Sequence, residues 1–345
     1  MLTALDTFAA PLAQLREAGT RPHCRFPVHW EKGFAAMLPH MEILQSASKL
    51  CALRLSAHLA RGESAAAYED FHDGLRLTTG TVGEPSLIAG LVRIAGTAAM
   101  ENAVWGGLAD HQWAEPELRK IEADLAALDW LTDCLFAMGS ERGGANLMTD
   151  MLIENPRQLA DLTHVDGTNP RSTRGGWVFS LYPTGWFYGS KLRSNRYFDE
   201  MSARFEPGPR RWFGERAVPS SPESIKDLPT KIRYMLFALM APVLGSVEKR
   251  YVQAATVTDQ TRLACALERC RLARGAFPQA LSELTPDFLT SLPAEIVNGE
   301  PYRYRRTDDG RFLLYSVGPD LRDDGGIIDP KKNAKDQADW VWSYR

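Results

Sequence analysis

The side chains with the widest chemical range lie near the N-terminus, in the segment RPHCRFPVHWEKGFAAMLPH. They are residue types that can bind a metal ion or pair a thiolate with a base: His23, Cys24, His29, Glu31 and His40. Their spacing matches no helical His-x-x-x-His pair, and a cysteine and its base are brought together by folding rather than by closeness in sequence. The pattern therefore favours an ordinary loop that enters a helix near Trp30.

Other motifs of catalysis are equally weak. The segment Ser140–Gly144 carries two glycines but neither the lysine nor the length of a phosphate-binding loop, so we interpret it as a turn or a helix irregularity. No Gly-x-Gly-x-x-Gly, Gly-x-Ser-x-Gly or paired-acid signature stands out. A catalytic function is therefore the less favoured interpretation, and an enzyme whose site the sequence does not reveal is kept as an alternative.

Size and charge narrow the class of protein. The chain has 345 residues, so two domains are favoured over one. A hydrophobic content of 44% and a charged content of 24% are typical of a soluble globular protein. The net charge of −3 gives no general attraction to nucleic acid, so no nucleic-acid partner is expected. The basic pair Arg210-Arg211 is interpreted as part of a solvated loop.

The cysteines and the chain start give no sign of a disulfide framework or an export signal. The odd number of cysteines and the absence of a Cys-x-x-Cys motif predict buried or unused thiols. These cysteines are Cys24, Cys51, Cys134, Cys265 and Cys270. The first residues lack the basic and apolar regions of a signal peptide, and the apolar stretch Met235–Val247 is shorter than the roughly 20 residues of a membrane span. Membrane association is therefore expected only through a segment outside this sequence.

Residues 1–165 show a helical pattern, with apolar residues at every third or fourth position. Met41–Thr79 is predicted to form two helices joined by a turn near Gly62, with Ser64 capping the second helix. This pair resembles one tetratricopeptide repeat, without its early Trp and final Pro. The segment is therefore predicted to be a helical array, and a true repeat solenoid is the alternative.

Two more helices are predicted in the array, at about Pro85–Gly107 and Pro116–Met138. The second has a clear start in Glu115-Pro116-Glu117, because proline is favoured in the first turn and acidic side chains stabilise the positive end of the helix dipole.

An aromatic-rich segment at residues 166–228 interrupts the helical pattern with several Gly and Pro residues. Five aromatic residues are the candidates for contact with a protein partner: Trp177, Tyr182, Trp186, Phe187 and Tyr188. Aromatic side chains gain much from burial, so the segment is expected to be ordered. A loop packed over the helical array and a groove for a partner or peptide are the two interpretations.

The C-terminal third combines a long helix with a small sheet. A helix is predicted from about Thr230 to Arg274, with Gly275 as its stop. A short helix at Gln279–Leu284 follows, and the turn at Asp308-Asp309-Gly310 joins strands at Tyr302–Arg306 and Arg311–Val317. A last strand after Asp339 is placed to pair with these two.

Four motifs follow one another in this third. The apolar, proline-containing helix begins at about Leu236, and RLARGAFP ends it at Arg271–Pro278. GEPYRY follows at Gly299–Tyr304, and YSVGPD at Tyr315–Asp320. In this order the motifs resemble the soluble domain of type II secretion pseudopilins, over about 115 residues counted from the start of the predicted long helix. The resemblance implies a protein that assembles or binds and does no chemistry, in the bacterial cell envelope or periplasm.

The resemblance also implies a calcium site in the acidic loop after YSVGPD. Ser316 and Asp320 match the family's ligands by position, and the second acid has several candidates. These candidates are Asp323, Asp324 and Asp329. Carboxylates and carbonyls converging on a Gly-rich turn suit a cation that prefers six to eight oxygen ligands. A solvated acidic turn, with Asp side chains bonded to nearby amides, is the alternative.

One departure from the family concerns the position of the helix. Pseudopilins carry their apolar helix at the mature N-terminus, whereas here it lies behind about 230 residues. Incorporation into a pseudopilus by the usual route is therefore not expected.

Together these observations predict an α+β, mainly α protein in three parts: a helical array (1–165), a connecting segment (166–228) and a pseudopilin-like module (229–345). A non-catalytic binding or structural protein of the bacterial cell envelope, with a protein partner and an implied link to secretion, is the expected function. A helical adaptor that binds peptides is the alternative from another class.

Overall fold

The computed structural model describes residues 5–21, 24–155, 182–241, 244–328 and 339–342. Within these residues helices dominate beside two small antiparallel sheets, which confirms the predicted α+β, mainly α class. The first helices are α1 (Ala9–Gly19), α2 (Pro39–Leu59), α3 (Ser64–Thr79), α4 (Leu87–Ala109), α5 (Glu115–Ala126) and α6 (Trp130–Glu154). The next elements are α7 (Thr184–Ser202), β1 (Phe205–Glu206), β2 (Arg211–Trp212), α8 (Leu228–Arg233), α9 (Met235–Met240) and α10 (Leu244–Arg274). The last strands are β3 (Arg303–Arg306), β4 (Phe312–Ser316) and β5 (Trp340–Trp342), and 3-10 turns lie at Asp6–Phe8, Trp30–Ala35, Pro222–Ser224 and Leu281–Leu284.

Helices α2 and α3 are the predicted pair, and they pack against each other across the turn at Gly62, whose φ is +74°. Ser64 was expected to cap α3, and this detail is wrong. Ser64 is the first residue of the helix, and its Oγ accepts a hydrogen bond at 3.1 Å from the amide of Ala114. The Ser64 hydroxyl therefore links two parts of the array and does not cap the free amides at the start of α3.

The helix predicted at Pro116–Met138 is two helices in the structure. Helix α5 begins at Glu115 as expected but ends at Ala126, and α6 starts at Trp130. The side chain of Asp129 accepts a hydrogen bond at 3.1 Å from the amide of Thr132 and so caps α6. A local N-cap thus starts a new helix inside a continuous apolar pattern.

The connecting segment contains a helix where the sequence predicted a loop. Helix α7 buries residues at helical spacing, and these are Phe187, Ser190, Ser194, Tyr197, Phe198 and Met201. Pro183 and Gly185 obscured this pattern, because both residues are typical of turns. Here Pro183 lies directly before the helix, where its fixed φ is tolerated. Residues 156–181 lie outside the described part.

The predicted long helix at Thr230–Arg274 is divided into α8, α9 and α10. Its predicted stop is confirmed, because Gly275 has a φ of +81° and its amide donates to the carbonyl of Arg271 at 2.7 Å. The strands follow the order β3-β4-β5, all antiparallel, with Leu314 of β4 opposite Tyr304 and Trp342.

The helical array and the C-terminal sheet share one hydrophobic core. Its members come from α1 to α5, from α10, from the segment that follows α10 and from the sheet, and they include Leu55, Phe71, Leu118, Leu267, Phe312 and Trp342. The rings of Phe312 and Trp342 stack with centroids 4.9 Å apart, and Trp105 of α4 meets Trp342 edge-on at 5.2 Å. Helix α10 therefore lies between the array and the sheet. The domain limits at residues 165 and 229 stay predictions.

Within the described part of the chain, α4 is the one helix that is long and apolar enough to cross a membrane, and half of its apolar window is buried. It also carries two buried charged residues, Arg93 and Glu101, which are 2% and 3% exposed. The sides of α4 pack on α2, α3, α6 and α10. These contacts are those of a core helix.

Two glycines of α4 provide a matched test of this packing. A Cβ at Gly90 would meet the hydroxyl oxygen of Tyr251 far inside contact distance, whereas nothing lies within 4 Å of a Cβ at Gly106. Gly106→Ala should raise the free energy of unfolding by roughly 0.5–1 kcal/mol, because alanine loses less backbone entropy in a helix. Gly90→Ala should lower it by about 1–3 kcal/mol through overpacking. Urea denaturation of both variants checks the two signs, and a stabilised Gly90→Ala would contradict the close contact between α4 and α10.

Candidate functional site

A buried chain of hydrogen bonds connects α4 and α6 to the middle of α10. The Trp130 indole donates to Thr258 Oγ1 at 3.0 Å, and the Thr258 hydroxyl donates to Glu101 Oε1 at 2.7 Å. Burial raises the pKa of Glu101 to about 8, against an ordinary value of 4.5, although the hydrogen bond from Thr258 favours the ionised form. Burial in the packed interface therefore favours the neutral form of Glu101.

Further polar contacts follow along the same helix. The Trp105 indole donates to Thr261 Oγ1 at 2.9 Å, and Gln260 Nε2 donates to the carbonyl of Trp340 at 2.6 Å. Arg269 donates to Glu115 at 3.0 Å. These contacts bind α10 to the array and to β5 at the same time.

A histidine at the end of α4 extends this interface. His111 has a φ of +54°, which is uncommon for a residue other than glycine, and its Nδ1 lies 3.0 Å from the Glu268 carboxylate. Glu268 is buried and also accepts two hydrogen bonds from Arg271, at 2.7 and 2.8 Å. The carboxylate thus has cationic or polar partners on both sides.

Two arginines near β1 and β2 form ion pairs with buried acids of α10. Arg210 was expected in a solvated loop, but its guanidinium lies 3.2 Å from the buried carboxylate of Asp259, which also accepts from the Tyr302 hydroxyl at 3.2 Å. The solvated-loop interpretation did not include this ion pair, although the Arg210 side chain is still 42% exposed. Arg204 pairs with buried Glu248, and burial raises the pKa of Glu248 to about 7.

In the acidic loop and the end of β4, three of the five predicted ligands have a local hydrogen-bond partner. Ser316 is buried and donates to Glu295 Oε2 at 2.9 Å, while Asp320 accepts from the amide of Arg322 at 3.1 Å. Asp323 accepts from the Tyr315 hydroxyl at 2.8 Å and from Arg303 at 3.3 Å. Asp324 is exposed, and Asp329 lies outside the described residues.

Asp339, which no sequence motif marked as a site residue, organises this loop. Its side chain is fully buried, and Oδ2 accepts from the amides of Asp324 and Gly326 at 3.1 and 2.8 Å. In the part of the chain that the structure describes, no three His, Cys, Asp or Glu side chains come together as ion ligands. The described side chains of this loop thus fit a hydrogen-bonded turn, and the calcium site stays a prediction.

Thermal unfolding in EDTA and then in millimolar calcium tests that prediction. A ligand at 100 times its dissociation constant adds about 2.7 kcal/mol to the free energy of unfolding. The calcium interpretation predicts a raised melting temperature that Asp320→Ala abolishes. An unchanged melting temperature assigns Asp320 and Asp323 to the hydrogen bonds described above.

The four predicted partner-contact residues that the structure describes do not form one exposed surface. Tyr182 and Phe187 are buried, 8% and 2% exposed, in a small cluster with Leu152 and Leu236. Trp186 is half-buried beside them, and its ring meets Tyr182 at right angles with centroids 5.2 Å apart. Tyr188 is 57% exposed, and Trp177 lies outside the described residues. The described aromatics mainly fix α7 to α6 and α9.

In the described part of the N-terminal His/Cys segment, the two histidines each lie beside a different acid. His29 lies 2.8 Å from Glu31, both of them exposed. His40 instead lies 2.9 Å from Glu84 and stacks on the ring of Phe26. Cys24 is exposed, and His23 lies outside the described residues.

Two open cavities, each about 670 Å³, flank the C-terminal end of α3. The first lies between α3, α5 and α6, and its apolar lining includes Leu75, Ala123, Ala127, Leu128 and Phe136. The second lies between α1, α2 and α3, and its apolar lining includes Leu12, Leu15, Phe26, Ile43, Leu44 and Leu77. Arg76, Thr79 and Val82 line both cavities. We call the two cavities and this shared edge the α3 groove.

Most charged side chains of the α3 groove have a partner of opposite charge. In the first cavity the Arg93 guanidinium lies 2.6 Å from Asp133, and His72 Nδ1 lies 2.9 Å from Asp124. In the second cavity Arg16 pairs with Asp73. Such a lining, apolar with a few placed polar groups, is typical of binding sites.

Comparison with models of known families, with curated proteins and with solved structures gives no match. The pseudopilin resemblance of the C-terminal third therefore stays a prediction that rests on its sequence motifs.

The buried Glu101 predicts a pH dependence of stability. A carboxyl whose pKa is higher in the folded than in the unfolded chain makes the folded state bind more protons, so stability falls as pH rises from about 4.5 toward about 8. Glu101→Gln keeps an acceptor for Thr258 and removes this titration. We expect the free energy of unfolding of this variant to fall less steeply with rising pH than that of the wild type. The two slopes should differ by up to about 1.4 kcal/mol per pH unit. Urea denaturation between pH 5 and 8 measures both slopes, and equal slopes would show that Glu101 is ionised in the folded chain.

Proposed function

We propose that this protein is a non-catalytic binding protein of the bacterial cell envelope, in which the helical array holds the pseudopilin-like module inside a fixed scaffold. The observation that supports the proposal is the double coverage of α10. The array packs on this helix through contacts such as Glu101 to Thr258, and the sheet packs on the same helix through β4 and β5.

This coverage distinguishes the module from a subunit that assembles with other subunits through its long helix. A helix can associate with a second subunit only through a face that its own chain leaves open, and residues 263–270 of α10 are buried without interruption. The array thus takes the place that a neighbouring subunit would need. We infer that the module has a fixed structural role in a protein that does not polymerise through α10.

The array also supplies the surface for binding. The α3 groove lies at the end of α3, away from the contacts of α10 with β4 and β5. Its mixture of apolar walls and a few charged groups favours the binding of a protein segment. The proposed envelope protein would thus also bind peptides, as the adaptor alternative has it.

Sedimentation and cell fractionation test the scaffold proposal. Sedimentation velocity from about 1 to 100 μM protein should show a monomer, since α10 is covered within one chain. Fractionation of the cells that produce the protein should recover it with envelope markers. Concentration-dependent filaments would overturn the closed scaffold, and recovery only with cytosolic markers would overturn the envelope assignment.

A further inference from the structure

We propose that the α3 groove binds an extended segment of a protein partner in which an acidic side chain lies between two apolar side chains. The Arg76 guanidinium is the anchor for the acid, and each cavity receives one apolar side chain. This inference rests on the proposed binding function and adds the site and the chemistry of the partner.

The shared lining of the cavities makes them two halves of one groove. Arg76 and Thr79 lie on the last turn of α3, and Val82 follows in the turn toward α4. Because these residues line both cavities, a ligand that crosses this edge contacts both without leaving the surface. Each cavity of about 670 Å³ already falls in the range of a small-molecule site, so a ligand that fills both has to be extended.

Large apolar side chains are exposed along the groove. Val82 at the shared edge is 61% exposed, Ile43 in the second cavity 64% and Phe136 in the first cavity 44%. Exposed apolar side chains that line one concave surface mark a place where burial of a partner gains free energy. Their positions on both sides of Arg76 require apolar groups on both sides of the acid.

The charge of the shared edge and of the second cavity favours an acidic ligand. Arg16, Arg93, His40 and His72 each lie beside an acid, as described above. Within the described residues, Arg76 and Arg21 are exposed and have no carboxylate within 4 Å. Asp129 in the first cavity caps α6. The shared edge and the second cavity therefore carry the positive charge that a carboxylate would neutralise through a bidentate contact with Arg76.

A displayed library of random twelve-residue peptides, selected on the full chain, tests the proposal. The enriched sequences should share an acid with an apolar residue on either side. A fluorescein-labelled peptide of the best sequence then measures affinity by anisotropy. Arg76→Glu should weaken binding at least tenfold, and Arg76→Lys should weaken it less, because lysine keeps the charge but not the bidentate geometry. Arg306→Glu, the same charge change at an exposed arginine of β3, should leave the affinity within twofold.

Several results would overturn the proposal. These are the absence of enriched peptides, a consensus without an acid, and an equal loss of affinity for Arg76→Glu and Arg306→Glu. Displacement of the peptide by micromolar decanoate would assign the groove to a fatty carboxylate instead. The scaffold proposal depends on the monomeric state and envelope location, so a failure of peptide binding alone leaves it standing.

Discussion

The structure depends on the burial of a polar helix. Almost every residue of α10 from Tyr251 to Cys270 is buried or half-buried, including Thr258, Asp259 and Glu268. A buried polar group without a hydrogen bond costs about 1–3 kcal/mol, and an unpaired charge costs more. Helix α10 can therefore be covered only by surfaces that bring a partner to each of these groups. The array, the turn between β1 and β2 that carries Arg210, and the residues at the C-terminal sheet together provide such surfaces.

The positions of the partners also fix the directions of the helices. Glu101 contacts Thr258, and His111 contacts Glu268, so the residue numbers of α4 and α10 rise together and the helices run parallel. Along α5 the order is reversed, since Glu115 contacts Arg269 and Glu122 contacts Arg262. Apolar packing alone would tolerate a shift by one helical turn. The polar pairs exclude such a shift because each displaced group would be buried without its partner.

The sequence was sufficient for the local elements and insufficient for what holds them together. The α2–α3 pair, the stop at Gly275 and the β3–β4 hairpin follow from periodicity and turn residues that act within a few positions. Helix α7 was missed because Pro183 and Gly185 suggested a loop. Glu101 and Asp339 act through contacts that only the fold creates. Glu101 accepts a hydrogen bond from Thr258, and Asp339 accepts from the amides of Asp324 and Gly326. A single acid in the apolar stretch AGTAAMENAVW was the one sequence signal for Glu101.

We infer that the array and the C-terminal sheet form one cooperative unit through α10, although the sequence favoured separate domains. Leu118 of α5 is fully buried in the shared core and is distant in sequence from the sheet. Hydrogen exchange of the Leu118→Ala variant tests this inference. The protection of the amides in Phe312–Ser316 should fall by the same free energy as that of the α5 amides, about 2–5 kcal/mol. Loss of protection in α5 with unchanged protection in Phe312–Ser316 would show that the two parts unfold independently and would contradict this inference.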